Sequence, residues 1–400
     1  MRILRPGSEA EIAEWVTSTL HRRSVDGAPV VTGLSLGRPP AGLDSLPRLG
    51  ISTTNLSSML DFQPRDLTIT VGAGMRLSTL ARLVEERRLW LPLAGMPEDR
   101  SVGGWVASAP AGEFDGSFGP VRRHVLACTL VLWDGRITRW GRPVMKNVAG
   151  YDVNKLVCGS RARLGILTSV TLRLWPGPRE VRRFELSGEP LLEAAPELAE
   201  APRLEGVVWR SRPGLEQAGA ASVVLAGGPD SVSTRARALQ DWAIDHGITI
   251  REESGKPANP CPPPEGRAQR SGSSAAYRIT FGRRYLTAGL KELARLLSSD
   301  GDSWHMEVFP STGVVRLLAD ERQAARRSQA PAWLTAVVEA PARGPGHRPT
   351  LDQPAVSVER GGLAEHEAAR RLRSAGSRDI EKRWITAFAG IEAPWQSDYL

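Results

Sequence analysis

The densest grouping of chemistry-bearing side chains lies in the stretch from Val144 to Thr168, VMKNVAGYDVNKLVCGSRARLGILT. A basic-polar pair, Lys146 and Asn147, is followed by a Gly-Tyr-Asp turn at Gly150, Tyr151 and Asp152, then by a short helix-like segment through Val157. A second turn falls at Gly159-Ser160, and Leu164-Gly165-Ile166-Leu167 runs on into the strand SVTLRL. A glycine inside an apolar run marks a close approach of the backbone to something else, so Gly165 predicts a loop packed against a ligand or another backbone.

Two other stretches have the makings of a phosphate site. Gly33, Ser35 and Gly37 form a glycine- and serine-containing loop after the strand APVVT, an arrangement that frees backbone amides for an anion. In AGMPEDRSVGGWVASAPAG, Ser101 is placed to cap a helix starting near Val102, and Gly103-Gly104 would leave the first amides of that helix uncovered. Those amides and the partial positive charge of a helix start suit a pyrophosphate. Every helix start has the same features, and most glycine loops after strands bind nothing.

Catalytic side chains are harder to name. The histidines (His21, His124, His246, His305, His347 and His366) lie far apart, with no HxH, HxxxH or HExxH spacing. His305, ahead of a strand, reads first as a satisfied structural histidine. No Ser/His/Asp or Cys/His pairing is legible. Cys128, Cys158 and Cys261 show neither metal-ligand spacing nor an even-numbered disulfide framework, which fits a reducing compartment and predicts no metal site.

Composition narrows the class. Four hundred residues with 41% apolar and 24% charged side chains describe a globular chain of two or three domains. The net charge of +8 is carried by scattered arginines without a basic helix or aromatic-interleaved patch, which argues against nucleic acid. The N-terminus MRILRPGSEAEIAEW has no apolar core of a signal peptide, and no run has the length of a membrane span. The expectation is a cytoplasmic protein, peripheral at the inner face of a membrane only through partners.

The elements that must position these groups follow from periodicity. Ile12, Trp15, Val16 and Leu20 have helical spacing behind a Ser8 cap. Residues 67–71 read as a strand, and a helix from about Leu77 to Arg88 presents Leu77, Leu80, Ala81 and Val84 on one face. Residues 118–141 read as two strands joined at Asp134-Gly135. After the proline-rich WPGPRE comes a run of strands and helices of βαβ-like α+β character, interrupted by a flexible Pro/Gly/Ser-rich loop at about 255–276.

The blocks VMKNVAGYD, GS...LGILT and SVGGWVA together resemble the flavin-binding domain of the vanillyl-alcohol-oxidase/PCMH superfamily. Within it they are most similar to the FAD-binding E-type component of bacterial glycolate oxidases and to D-lactate and glycolate dehydrogenases. The resemblance covers about residues 9–178. It implies an α+β fold, with a PCMH-type FAD-binding domain of two α/β subdomains at 1–178 and a divergent α+β cap or substrate domain at 179–400. It places Gly33, Ser35 and Gly37 at the first pyrophosphate loop, here several residues shorter than usual, and Ser101, Val102, Gly103, Gly104 and Gly112 at the second. It places Lys146, Asn147, Gly150, Tyr151 and Asp152 along the flavin, and Gly165 and Ile166 beside the cofactor. Arg122 matches an arginine that relatives place before a strand.

Three departures stand out. Relatives often carry Asn-Ala-Ser-Gly where this chain has Ala109-Pro110-Ala111-Gly112, and many dehydrogenase relatives carry Gly-Ser-Glu-Gly where it has Gly159-Ser160-Arg161-Ala162. The second change sets alanine at a position that favours positive φ. The metal-ligating histidine block of the hydroxy-acid dehydrogenases is missing.

The resemblance therefore implies noncovalent FAD and a part in oxidising glycolate or a D-lactate-type 2-hydroxy acid. Electrons would pass to a catalytic flavoprotein subunit and an iron–sulfur subunit. The rivals are a degenerate assembly subunit that has lost FAD and a stand-alone flavin-dependent alcohol oxidase.

Overall fold

The computed structural model describes residues 2–21, 49–93, 100–144, 153–188, 197, 204–211, 220–253, 275–281, 286–299, 304–319 and 355–360. The predicted strand APVVT, the loop 33–37, the cluster 146–152 and nearly all of the 255–276 loop lie outside those residues.

Helix α1 (Glu9–His21) starts as its sequence requires. The Ser8 hydroxyl accepts from the Glu11 N–H at 3.2 Å, and the Glu11 carboxylate accepts from the Gly7 N–H at 2.9 Å. This is a reciprocal cap of the kind that stabilises a helix start by about 1 kcal/mol. Its inward face, Ile12 and Val16, packs with Ile51, Val131, Trp133 and Ile166. A short parallel pair, β1 (Arg2–Leu4) with β2 (Leu49–Ile51), flanks it.

The first half of the chain is built on a five-stranded antiparallel sheet. Its strands are β3 (Met59–Gln63), β4 (Thr68–Gly72), β6 (Val125–Val131), β7 (Ile137–Gly141) and β8 (Ile166–Arg173), in the order β3-β4-β8-β6-β7. Leu67, expected as the first residue of β4, instead ends the turn Pro64–Asp66 in the left-handed region at φ 56°. Three helices pack on this sheet, namely α2 (Leu77–Glu85), α3 (Val102–Ser108) and α5 (Asn154–Val157), with α4 (Asp115–Phe118) beyond them. Leu77, Leu80 and Val84 of α2 and Val102, Trp105 and Val106 of α3 join Ile69, Val71, Leu130, Val170 and Leu172 in one core. Ala81, predicted on the buried face of α2, is only half-buried. The pair β5 (Leu89–Trp90) and β9 (Trp175–Pro176) closes the end of this half.

From residue 180 the chain builds a separate eight-stranded sheet. Its strands are β10 (Glu180–Ser187), β11 (Gly206–Ser211), β12 (Ala220–Gly227), β13 (Thr249–Glu252), β14 (Ala275–Thr280), β15 (Trp304–Phe309), β16 (Val314–Ala319) and β17 (Ala355–Arg360). The order is β13-β10-β12-β11-β15-β16-β14-β17, and every described neighbour pair is antiparallel. The expected βαβ character takes a split form. Strands β12 and β13, joined by α6 (Pro229–Asp245), are separated by β10, and β14 and β15, joined by α7 (Leu286–Ser299), are separated by β16.

Both helices cover one face, where Val232, Ala236, Leu239, Leu286, Leu290 and Leu293 pack on Phe184, Val223, Tyr277, Val308 and Val315. The opposite face receives the first half of the chain. Ala111 packs with Val208, Phe309 and Val314, and Phe114 packs with Trp90, Val224 and Ala226.

Candidate functional site

Segment 101–118 lies between the two sheets and brings the described motif residues together. The Ser101 hydroxyl accepts from the Gly104 N–H at 3.1 Å, as the sequence required of a cap. The remaining amides at the start of α3 are not uncovered. Val102 N–H donates to Met75 O at 2.8 Å and Gly103 N–H to Ala73 O at 2.7 Å. The Gly112 N–H bonds the Asp115 carboxylate. The backbone donors expected to face a pyrophosphate at 102–104 and 112 are thus committed to the protein itself. Gly103 is demanded by packing, since a Cβ there would stand 2.9 Å from the Ala73 Cβ and 3.0 Å from the Ala73 carbonyl oxygen.

The turn 159–165 interlocks with the far end of the same helix. Gly159 N–H donates to Val106 O at 3.0 Å and Arg161 N–H to Ala107 O at 2.9 Å. Gly165 meets the expectation of a close backbone approach, and its neighbour is a strand: an added Cβ would lie 2.6 Å from the Val131 carbonyl oxygen, at φ 155°. Ile166 is buried and opens β8 opposite Val131.

Three non-glycine residues at this junction have positive φ: Ala109 at 39°, Arg161 at 51° and Ala162 at 63°. Ala109 caps α3 in the left-handed region, a conformation that asparagine tolerates better than alanine. Alanine at 162 adopts the strained conformation as well. The left-handed cost for alanine, about 1–2 kcal/mol, exceeds the 0.4–1 kcal/mol of unfolded-state entropy that glycine would add. Ala162→Gly is therefore expected to raise stability by about 0.5–1 kcal/mol in urea denaturation; an unchanged or lowered midpoint would remove the strain at this turn.

The second sheet reaches this segment through polar contacts that sequence spacing gave no means to find. Arg278 on β14 donates to the Ala109 carbonyl oxygen at 2.9 Å, across 169 residues. Arg183 on β10 pairs with Glu113 at 3.0 Å, both buried, and donates to Ser222 Oγ at 2.7 Å. The Val207 N–H donates to Glu113 O at 3.0 Å. One and three residues beyond Gly112, Glu113 and Asp115 are set at the seam between the two sheets.

Burial pushes the Asp115 carboxyl up from 3.8 to about 7, against the Gly112 N–H and the charges of Arg278 and Arg122, which lower it. Burial holds the His124 imidazole down from 6.5 to about 4; its Nε2–H bond to Gly119 O opposes this and Arg173 adds to it. These two shifts act on stability in opposite directions. Between pH 3.8 and 7 the folded chain keeps an Asp115 proton that the unfolded chain has released, so this group's contribution falls as pH rises. Between pH 6.5 and 4 the unfolded chain takes up a His124 proton that the folded chain refuses, so that contribution falls as pH falls. Asp115→Asn is expected to raise the urea midpoint at pH 8 and leave it nearly unchanged at pH 4. A variant less stable than the parent at pH 8 would contradict the shift.

Arg122 is exposed. His305 lies on β15 and His124 is a buried residue of the first half. Among the described residues no group of three or more His, Cys, Asp or Glu side chains is placed to hold a metal. No helix among them is long and apolar enough to cross a membrane.

Comparison with known proteins gives this architecture its class. Residues 2–141 match the family described as "FAD binding domain". The fold, including the second sheet, is similar to a solved structure of alkyldihydroxyacetonephosphate synthase, with TM-score 0.60 and 12% identity over 81% of this chain and 68% of that one. Residues 2–141 thus match an FAD binding domain, and the two-sheet architecture is the fold of that synthase.

In sequence it is similar to glycolate oxidase subunit GlcE of Escherichia coli, 37% identical over 172 residues, or 41% of this chain and 46% of the relative. It is also similar to D-lactate dehydrogenase of Anaerostipes hadrus, 33% identical over 131 residues, or 33% of this chain and 28% of the relative. The chain spans less than half the length of these relatives.

The described residues fit that cofactor as scaffold. Segments 101–112 and 159–166, which carry two of its motifs, are locked to each other and to the sheet at glycines whose Cβ would strike protein backbone. They do not fit the direct role assigned to the 102–104 and 112 amides, because those donors already have partners.

Proposed function

We propose that the chain is the FAD-binding oxidoreductase subunit of an assembly that oxidises glycolate or a D-lactate-type 2-hydroxy acid to the 2-oxo acid. The reading gives residues 1–178 to the FAD-binding domain and 179–400 to a cap over its substrate side. The observation that carries it is the FAD binding domain at 2–141 together with a relative whose name is a glycolate oxidase subunit. Bound FAD would supply the hydride-accepting chemistry, and the protein binds, orients and shields it. The partners in this reading are a catalytic flavoprotein subunit and an iron–sulfur subunit, with association at the membrane only through them.

The work of this chain's own residues divides by segment. The loop at Gly33, Ser35 and Gly37 and the cluster Lys146, Asn147, Gly150, Tyr151 and Asp152 make the direct cofactor contacts, without a covalent link. Ser101, Val102, Gly103, Gly104 and Gly112 serve as scaffold of the site, and Gly165 with Ile166 anchors the start of β8. Asp115, with its carboxyl near neutrality and Arg278 close by, is the group in the seam best suited to hold a proton at working pH.

One observation favours a second reading. The occupied amides at 102–104 and 112 are those expected to bind phosphate, and their loss would suit a subunit kept for assembly alone. The visible absorbance of the purified chain, before and after heat denaturation, separates the two. Flavin bands released into the supernatant support the first reading and justify a screen of 2-hydroxy acids with an artificial acceptor. A colourless chain that takes up no added FAD moves the assignment to the second.

A further inference from the structure

The C-terminal end of α3 is held in a conformation that its own residues oppose. Ala109 takes φ 39° and ψ 58°, the left-handed region that a residue with a Cβ enters only at a cost. Pro110 follows, and the proline ring drives the residue before it toward extended backbone. Such a residue persists only where its surroundings over-determine it, and residues of this kind gather at ligand clamps and switch regions.

Two elements supply the restraint. From the first half, Gly159 N–H and Arg161 N–H donate to the carbonyls of Val106 and Ala107. From the second sheet, Arg278 Nη1 donates to the Ala109 carbonyl oxygen at 2.9 Å. The Ala109 N–H closes the last turn on Trp105 O, also at 2.9 Å. Directly after Pro110, Ala111 is buried against Val208, Phe309 and Val314 of the second sheet. The strained peptide is therefore the point where motif segment 101–112 passes from the first half to the second sheet.

Sheet register explains why Arg278 reaches across the seam. Arg278 on β14 stands opposite Arg316 on β16, and Arg316 stands opposite Glu307 on β15. The buried Glu307 carboxylate pairs with Arg316 at 2.8 Å. Like charges directly opposite on one sheet face repel, which favours the reach of Arg278 away from Arg316. On that side the Ala109 oxygen accepts from it, and the Asp115 carboxyl lies within its field. A charged donor makes a stronger bond to a carbonyl than a neutral one does.

We propose that Arg278 is a positioning residue, which from the second sheet holds the strained end of α3 and so sets the geometry of motif segment 101–112. Without that donor, Ala109 relaxes toward the extended backbone that Pro110 favours, its bond to Trp105 O opens, and the last turn of α3 unwinds. Docking of the second sheet is in this way communicated to the segment through one bond. FAD affinity is the functional consequence and rests on the flavin reading; the state of the turn does not.

The test crosses Arg278→Met, which keeps the stem and removes the donors, with Ala109→Gly, which removes the Cβ that makes the left-handed turn costly. In the full chain without FAD, Arg278→Met is expected to speed hydrogen exchange of the residue 109 amide about tenfold. Arg278→Lys, which keeps a charged donor, should speed it less. In the Ala109→Gly background Arg278→Met should change the rate by about twofold or less. A bond that only ties two sheets together would give the same acceleration in both backgrounds, and that result overturns the proposal. So does an unchanged rate in Arg278→Met alone. FAD titration of the same proteins reads the consequence: affinity should fall about tenfold with Arg278→Met and return toward the parent value when Ala109→Gly is added. FAD bound equally well by every variant overturns the role in cofactor binding. If exchange follows the expected pattern while none of the proteins takes up FAD, the flavin reading fails and the hold of Arg278 on α3 stands.

Discussion

Glu113→Ala is expected to lower the free energy of unfolding by about 3 kcal/mol. The Glu113 and Arg183 side chains are 2% and 9% exposed and meet at 3.0 Å, one from the segment behind Gly112 and the other from β10 of the second sheet. Removing one member of a buried pair leaves the other charge in a poor solvent, which costs about 3–5 kcal/mol. The lower end applies because Arg183 keeps Ser222 at 2.7 Å and has the Glu253 carboxylate at 3.7 Å. The loss should fall on the seam between the halves. Glu113→Ala is accordingly expected to expose segment 109–118 to hydrogen exchange before the sheets. Combining it with Arg183→Met should recover part of the stability, because the stranded charge is then gone. If the two single effects simply add in urea titrations, the pair is not coupled and does not hold the seam together.

The second large effect belongs to Gly165. Alanine there would place a Cβ 2.6 Å from the Val131 oxygen and 3.2 Å from the Leu132 Cα, in a conformation that L residues rarely adopt. Overpacking costs about 1–3 kcal/mol and the backbone strain a similar amount, so Gly165→Ala should lose about 3 kcal/mol. The relief available to the chain is to draw Ile166 away from Val131, which unpairs the first rung of β8 from β6. In the proposed function that rung anchors the cofactor wall, so FAD affinity should fall together with stability. FAD titration and thermal unfolding on the same sample check this. A variant with the parent melting temperature would mean that Gly165 is not pressed on Val131. A variant that melts early but keeps full FAD affinity would separate β8 from the cofactor site.

Much of the local structure was legible because its causes are local. Ser8 and Ser101 cap helices in the sequence as in the fold, since an N-cap needs only a hydroxyl and an amide two or three residues on. Asp134-Gly135 turns a hairpin because Gly135 accepts φ 84° without strain. The spacing of apolar residues located α1 and α2, and the motif blocks at 101–107 and 144–168 resembled a flavin-binding domain. The sequence by itself thus determined the caps, the turns and most of the buried face of α2, and its motif blocks carried the resemblance to a flavin-binding domain.

Tertiary structure decided what those elements do to one another. The amides of Gly103 and Val102 were expected to be free, but Ala73 and Met75 accept from them, and nothing in the spacing of 73–75 against 102–103 reports that approach. Alanine at 162 is a poor fit to positive φ, yet the hydrogen bonds of Gly159 and Arg161 to the end of α3 hold it there. The order of the eight-stranded sheet, which splits each βαβ pair with an intervening strand, is likewise a long-range outcome. So are the contacts of Arg183 with Glu113 and of Arg278 with Ala109, made by residues 70 and 169 positions apart. Caps, turns and periodicity act over a few residues and leave a mark in the sequence. Which buried charge meets which, and which carbonyl takes which amide, depends on the packing of whole sheets, and that is settled only when the chain folds.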